Sequence, residues 1–242
     1  MVDVSKICAL VPFRSGSKGL ADKNIRELLG CPLFAYSLHF AKYLTIKTVV
    51  STDYETSILA PYLGDSGYIR RPAELSGDHA PIEEVIAHAL EDDAFSQFDF
   101  CLLLQPTSPL RSSTIFQELL SSFMRQADET MCLTVAQKPN HHWKTGYLES
   151  GKLKNVSGEN EKFFINRQSL PNLYAPDGNM YLFSVNQFKK HRNFSYSSLT
   201  AVLNDPLASF DIDTASDFDL VEHAVKETSQ AEGFEWLGTN YD

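Results

Sequence analysis

The chain has 242 residues, of which 43% are hydrophobic and 12% are aromatic. This length fits one α/β domain with an appendage or two small domains, and the composition supports a substantial core, which excludes a disordered chain. The formal net charge is −10, which argues against a nucleic-acid-binding protein with a broad basic surface. Any anion site in this acidic chain must therefore concentrate positive charge locally.

The four cysteines are far apart and lack the spacing of zinc ligands, so we expect reduced thiols in a cytoplasmic protein. The N-terminal residues lack the basic and apolar regions of a signal peptide. The longest uncharged stretch, residues 28–41, is too short to span a bilayer. We therefore expect a soluble protein.

Strands and helices are predicted to alternate along the chain. Four apolar runs are typical of strands buried on both faces, at residues 6–12, 47–51, 98–104 and 130–136. Apolar residues at helical spacing predict three helices, which begin near Pro32, Ile82 and Ile115. This alternation predicts an α/β fold, a mostly parallel Rossmann-like sheet with helices on both faces.

The alternation breaks between residues 137 and 178, which we interpret as an insertion with a small element of two or three strands. Strands are expected again at residues 180–184 and 209–213, and Thr214 is predicted to cap a last helix. The tail beyond Lys226 has little pattern. We therefore predict one α/β domain, made of residues 1–136 and 179–242, and one insertion.

A cationic loop follows the first predicted strand. Its two glycines allow successive backbone N–H groups to point into one cavity, as in anion-binding nests. Arg14, Lys18, Lys23 and Arg26 add four cations within thirteen residues, in a chain that holds only 21. Ligands of such sheets bind beyond the carboxyl ends of the strands, so the loop is a candidate phosphate site. Its spacing is that of neither a Walker A loop nor a dinucleotide fingerprint, and the alternative is an ordinary solvated loop.

Asp211 and Asp213 are separated by one residue near the end of the chain. On a strand this spacing puts both carboxylates on one face, where they repel each other unless a cation or proton intervenes. Mg²⁺ takes few protein carboxylates together with phosphate oxygens, so the pair is a candidate magnesium site. The alternative is a strand end or helix cap, because Asp is common before helices.

Five motifs in order resemble those of the acylneuraminate cytidylyltransferase family, the CMP-sialic acid synthetases. They are VPFRSGSKGLADKN (11–24), RPAEL (71–75), LQPTSPLR (104–111), Arg167-Gln168 with Pro171, Gly178 and Tyr181, and DID (211–213). The resemblance implies a nucleotide-diphospho-sugar transferase-like fold. It also implies a reaction in which CTP and a nonulosonic, sialic-acid-like sugar give CMP-sugar and diphosphate, with Mg²⁺ as cofactor.

The resemblance assigns residues to the nucleotide and the metal. It implies that Arg14, Lys18 and Lys23 bind the triphosphate and stabilise charge on the departing diphosphate. The remaining nucleotide contacts would come from Ser17, Asn24 and Arg71, with Arg71 near the base. Asp211 and Asp213 would be the magnesium ligands.

Further positions are implied for the sugar, namely Gln105, Lys144, Arg167, Gln168 and Tyr181. In the family the insertion is a dimerisation element that reaches over the partner's active site, so we expect a homodimer. Lys144 and Arg167 would then offer cations to the sugar carboxylate, the alternative being solvated surface charges. Tyr181 is more ambiguous, because an aromatic residue in a strand is usually part of the core.

Several positions depart from the family's pattern. Pro81 and Ile82 replace small hydroxyl residues, Phe13 replaces an alanine, and Asp177 replaces the asparagine that usually precedes Gly178. An acid near the sugar repels a carboxylate or attracts an amino group, according to its direction. The sugar therefore stays open among N-acetylneuraminic, legionaminic and pseudaminic acids and their relatives. The alternatives are activation of an eight-carbon ulosonate, another sugar nucleotidyltransferase of this fold, and an inactive homologue that only binds ligands.

Overall fold

The computed structural model describes residues 3–17, 19–126, 130–195, 198–228 and 232–238. The strands are β1 (Ile7–Pro12), β2 (Glu27–Leu28), β3 (Cys31–Pro32), β4 (Lys47–Thr52), β5 (Gly67–Arg70), β6 (Phe100–Leu103), β7 (Thr130–Lys138), β8 (Gly146–Glu149), β9 (Lys152–Asn155), β10 (Leu173–Ser184) and β11 (Ser198–Leu203). The α-helices are α1 (Leu33–Tyr43), α2 (Thr56–Leu63), α3 (Ile82–Leu90), α4 (Ser113–Met124), α5 (Val185–His191) and α6 (Ala215–Thr228). None of these helices is long and apolar enough to cross a membrane.

Seven strands form the central sheet, in the order β11-β7-β10-β6-β1-β4-β5. Neighbouring strands are parallel except around β10, which runs antiparallel to both β6 and β7. Helices α1, α2, α4 and α6 pack on one face and α3 and α5 on the other. The predicted fold class, a mostly parallel sheet covered on both faces, is therefore confirmed.

The central strand β1 shows why its sequence is apolar throughout. Successive side chains point to opposite faces, so Ile7 and Ala9 enter the core beneath α1 while Cys8 and Leu10 enter the core beneath α3. All six residues of β1 are buried. No position of β1 therefore faces water, and the first charged residue after the strand is Arg14, two residues beyond Pro12.

The strand predicted at residues 209–213 is wrong. That segment is irregular, and the strand beside β7 is instead β11, at Ser198–Leu203. Ile212 is buried and its backbone N–H donates to the carbonyl of Thr107, so its apolar character reflects packing against a loop, outside the ladder. The pattern of β11 was missed because it is a largely exposed edge strand.

Two features near the C-terminus hold the last helix and the tail in place. Thr214 and Asp217 form a reciprocal cap, since each backbone N–H donates to the other side chain, which confirms the predicted helix start. The patternless tail contributes to the core, because Trp236 is fully buried against Phe40 with ring centroids 5.4 Å apart.

The predicted insertion contains the hairpin of β8 and β9. Strands of the central sheet extend into both ends of this segment, because β7 continues to Lys138 and β10 begins at Leu173. The hairpin is the small two-stranded element that the sequence indicates. The division of the chain into a domain and an insertion stays a prediction.

Candidate active site

A cleft of about 530 Å³ opens beyond the carboxyl ends of β1, β5 and β6. Its position follows from the parallel sheet, whose strands present their following loops at one edge. Seven of the predicted site residues line it, namely Arg14, Ser17, Lys23, Asn24, Arg71, Gln105 and Asp213. Lys18 lies outside the described residues.

The loop after β1 is held in shape by hydrogen bonds from both sides. Asp53, which follows β4, accepts hydrogen bonds from the backbone N–H and the hydroxyl of Ser15, at 2.8 and 2.5 Å. The amide of Asn24 donates to the carbonyl of Arg14 at 2.9 Å. These bonds fix the backbone that carries Arg14, so its guanidinium is presented to the cleft.

Arg14 is already paired in this structure. One of its guanidinium nitrogens contacts the carboxylate of Asp78, which also lines the cleft, and the other donates to the carbonyls of Ser15 and Gly16. The sequence analysis missed both Asp78 and Asp53. For Asp53 a signal existed, because it lies in the loop directly after a buried parallel strand, at the same sheet edge as Arg14.

Lys23 joins the two ends of the sequence. It is buried, and its Nζ lies 3.1 Å from a carboxylate oxygen of Asp213, 190 residues away, and also donates to the carbonyl of Ile212. Gly19 allows this approach, since any side chain there would collide with the backbone carbonyl of Asp213. The loop after β1 and Asp213 thus meet at one site.

Arg71 lies in the wall of the cleft and is buried. Its guanidinium donates to the carbonyl of Ser51 at 2.7 Å. Burial lowers the pKa of Arg71 to about 10, although the negative charge of Asp53 opposes the shift. The side chain therefore stays positively charged at neutral pH and has fixed geometry.

The acidic pair sits at the edge of the cleft rather than on a strand. Asp213 lines the cleft, whereas Asp211 is exposed beside it. Although Asp211 keeps contact with water, partial desolvation of its carboxyl raises the pKa of this group. A hydrogen bond with Thr107 opposes the shift, and the negative charge of Asp213 adds to it. Two hard oxygen donors that repel each other are a suitable partial ligand set for Mg²⁺.

The described residues contain no group of three or more His, Cys, Asp or Glu side chains arranged to hold a metal. The neighbouring Asp217 is engaged, since its carboxylate accepts from the backbone N–H groups of Asp213 and Thr214. A magnesium ion held by Asp211 and Asp213 would complete its shell with phosphate oxygens and water, as this ion usually does. The residues present therefore fit the implied metal.

The acid that departs from the family's pattern points away from the cleft. Asp177 is buried, and its carboxylate accepts hydrogen bonds from the Thr134 hydroxyl at 2.6 Å, the Asn204 amide at 2.7 Å and the backbone N–H of Asn179 at 3.1 Å. Hydrogen-bond donors inside the protein therefore compensate the negative charge of Asp177. The expectation that this acid would repel or attract a sugar group therefore does not apply.

The other departures have local explanations. Phe13 stacks on Phe34, with ring centroids 4.8 Å apart, so its ring completes the core under the loop. Pro81 precedes α3 and Ile82 begins it, and the Ile82 side chain lines the cleft. At Ile82 the cleft therefore has an apolar wall in place of the hydroxyl in the family's pattern.

Four predicted sugar contacts do not line the cleft of a single chain. Arg167 and Gln168 are exposed at one short 3₁₀ turn of the insertion, and Lys144 ends another. Tyr181 is half-buried on β10, and burial raises its pKa. Their roles stay predictions that depend on a partner chain or on closure around the sugar.

The model of the cytidylyltransferase family matches residues 8–234. The chain is 29% identical to post-translational flagellin modification protein B of Campylobacter coli, covering 96% of this chain and all of that one. It is 29% identical to the CMP-N,N'-diacetyllegionaminic acid synthase of Legionella pneumophila, covering 93% of this chain and 99% of that protein.

A third relative is longer than this chain. The chain is 32% identical to the N-acylneuraminate cytidylyltransferase of Escherichia coli over 89% of its own length, but it spans only 51% of that protein. Among solved structures, a CMP:2-keto-3-deoxy-manno-octonic acid synthetase complexed with CTP superposes with a TM-score of 0.63 at 13% identity, over 92% of this chain and 99% of that one, and shows the shared fold. The chain belongs to the cytidylyltransferase family, and it is a nucleotidyltransferase.

Proposed function

We propose that this chain transfers CMP from CTP to a nonulosonic, sialic-acid-like sugar and releases diphosphate, with Mg²⁺ as cofactor. The observation that carries the proposal is the meeting of Arg14 and Lys23 with Asp213 at one cleft. The relatives named for N-acylneuraminate and diacetyllegionaminic acid support the class of sugar. The sugar itself stays open among the nine-carbon acids.

The reaction explains why the cleft needs cations. The bond that forms joins the sugar's anomeric oxygen to the α-phosphorus of CTP, and the bond that breaks joins this phosphorus to the oxygen leading to the β-phosphate. Negative charge develops on the departing diphosphate, which preorganised positive groups stabilise. A unit charge pair about 4 Å apart is worth roughly 4 kcal/mol at an effective dielectric near 20, which sets the scale of the stabilisation that Arg14 and Lys23 can offer as this charge develops.

Binding of the triphosphate requires two exchanges of partners. Arg14 must leave Asp78 for phosphate oxygens, and Lys23 must share Asp213 with them. Asp211 and Asp213 would hold Mg²⁺, which supplies Lewis-acid polarisation of the phosphate and favours ionisation of the sugar hydroxyl. The acids thus keep the cations in place before the substrate arrives.

The homodimer belongs to the same proposal. Large apolar side chains are exposed around the β8–β9 hairpin, among them Leu148 at 76% and Phe164 at 86%. Exposed apolar groups clustered in one element are typical of a surface that another chain covers. A partner's insertion over the cleft would bring Lys144, Arg167 and Gln168 to the sugar carboxylate.

The test is diphosphate release from CTP and Mg²⁺ with a panel of nine-carbon acids and an eight-carbon ulosonate. We expect release with at least one nine-carbon acid and the strongest turnover within that class. Preference for the eight-carbon acid would replace the sugar assignment, and no release with any sugar would favour an inactive binding protein. Asp211→Ala should abolish magnesium-dependent release while leaving the far-ultraviolet circular dichroism unchanged.

A further inference from the structure

Arg111 is a charged residue that lies outside the cleft lining and has lost all contact with water. Its relative exposure is 0%, so its guanidinium has given up its hydration. Burial lowers the pKa of Arg111 to about 9, and the carboxylate of Asp177 opposes this shift. Buried charges are poor sources of stability, because well-packed apolar side chains of similar volume often stabilise as much or more. Another role accounts for this arginine better than stability does.

The guanidinium of Arg111 bonds to two backbone segments, the loop that carries Gln105 and the part of β10 that faces the Gln105 side chain. One guanidinium nitrogen donates to the carbonyl of Gln105 at 2.6 Å, and Nε donates to the carbonyl of Asn179 at 3.3 Å. Nη1 has no hydrogen-bond partner within the described part of the chain. The fork therefore ties the loop after β6 to β10, at the point where β10 turns at Gly178.

Gln105 is held against that turn. Gly178 has φ of +80°, and a Cβ built on it would lie 2.9 Å from the Gln105 side-chain oxygen. The amide of Gln105 therefore packs directly over the glycine, and it lines the cleft on its other side. Any shift between the loop and the turn changes where this amide points.

The backbone of Arg111 is anchored as well. Its carbonyl accepts a hydrogen bond from the indole N–H of Trp236 at 2.7 Å, and the Asn179 amide donates to the carbonyl of the preceding Leu110 at 2.6 Å. Trp236 itself is fully buried. Trp236 thus holds the backbone of Arg111 in place, and the Arg111 side chain holds the loop that carries Gln105.

We infer that Arg111 is a positioning residue for the sugar step, which sets the place of the Gln105 amide by binding the backbone carbonyls of Gln105 and Asn179. The inference rests on the proposed function, in which Gln105 contacts the sugar.

The experiment is a double-mutant cycle of Arg111→Lys with Gln105→Ala, measured as kcat/KM for the sugar. Lysine keeps the charge but cannot bond both carbonyls with one planar fork. We expect Arg111→Lys to lower kcat/KM for the sugar about tenfold, with KM for CTP little changed, since a misplacement near 1 Å is enough for such a loss. In the Gln105→Ala background the same change should cost less than about twofold. An equal cost in both backgrounds, or no cost in either, would overturn the inference.

Two further measurements keep the inference testable in every case. Crystal structures of the wild type and Arg111→Lys should show the Gln105 amide displaced, and an unmoved amide refutes the inference even if no sugar is turned over. A wild type without diphosphate release would count against the proposed function alone. If the lysine variant does not fold, Trp236→Phe, which removes the indole N–H together with part of a fully buried ring, should lower sugar turnover in the same Gln105-dependent way, and a cost independent of Gln105 would refute the inference. Arg125→Lys, at an exposed arginine that bonds Ser122, is the matched control.

Discussion

Gly178→Ala separates backbone strain from damage to the site. The residue has φ of +80°, where an L side chain costs roughly 1–2 kcal/mol. Part of this loss is offset, because alanine reduces the entropy of the unfolded chain by about 0.4–1 kcal/mol. A net loss of about 1 kcal/mol corresponds to a decrease in Tm of about 2–4 °C for a chain of this size.

The larger effect falls on Gln105. The new Cβ would lie 2.9 Å from its side-chain oxygen, whereas ordinary van der Waals contact begins at 3.4 Å, so the amide must move by at least the difference, 3.4 − 2.9 = 0.5 Å. A flexible side-chain end can do this cheaply, so the fold survives while the contact to the sugar is lost. We expect kcat/KM for the sugar to fall roughly 10- to 100-fold, with CTP affinity changed less than about twofold.

The assay is steady-state diphosphate release, with CTP affinity from calorimetric titration and Tm from scanning calorimetry. Gly30→Ala is the matched control, because it has the same φ of +80° but no atom within 4 Å of the new Cβ. Both variants should lose similar stability, and only Gly178→Ala should lose sugar turnover. Unchanged sugar kinetics in Gly178→Ala, or a parallel loss of CTP affinity, would refute the reasoning.

Three other changes test the charges and the surface. Asp78→Asn frees Arg14 from its pair, so CTP should bind severalfold more tightly by calorimetry; weaker binding would show that Asp78 assists the nucleotide. The folded-state pKa of Asp211 is raised, so its ionisation costs stability as pH rises through that pKa. Asp211→Asn should therefore have a higher Tm than the wild type at pH 7, a difference that vanishes in acid, and a lower Tm at pH 7 would contradict this sign. Phe164→Glu should convert a dimer to a monomer in light scattering, with sugar turnover lost and CTP binding kept.

The changes at Asp78 and Phe164 each have a control in the same chain. Asp65→Asn breaks an exposed ion pair with Lys47 far from the cleft and should leave CTP affinity unaltered. Tyr43→Glu places the same charge on an exposed aromatic position of α1 and should not change the oligomeric state. A monomeric wild type would contradict the predicted dimer before any variant is made.

The position of the cleft could be predicted from the sequence, because the pattern that indicates it is local. The apolar run of β1 and the glycines and cations after it indicate a phosphate loop beyond a strand's carboxyl end. The fold brings Asp213 to this loop, where Lys23 contacts it, while the metal role of Asp211 and Asp213 stays a prediction. Spacing alone does not explain why these motifs follow one another in this order. The resemblance to a family does.

The remainder depends on contacts between distant segments. The direction of Asp177 is decided by Thr134 and Asn204, which only the folded sheet brings beside it. The irregular course of residues 209–213 follows from the bond of Ile212 to the loop after β6. Trp236 stands in a tail without periodicity, so no sequence pattern indicates its burial.

The central claim is that the α-phosphorus of CTP passes to the sugar. The most direct measurement uses CTP labelled at the α-phosphate, with Mg²⁺ and the best nine-carbon acid, and separates the products by chromatography and mass. The account predicts that the label appears in a CMP-sugar conjugate, together with one unlabelled diphosphate for each conjugate formed. Label recovered only as CTP or free CMP, with no conjugate, would contradict it.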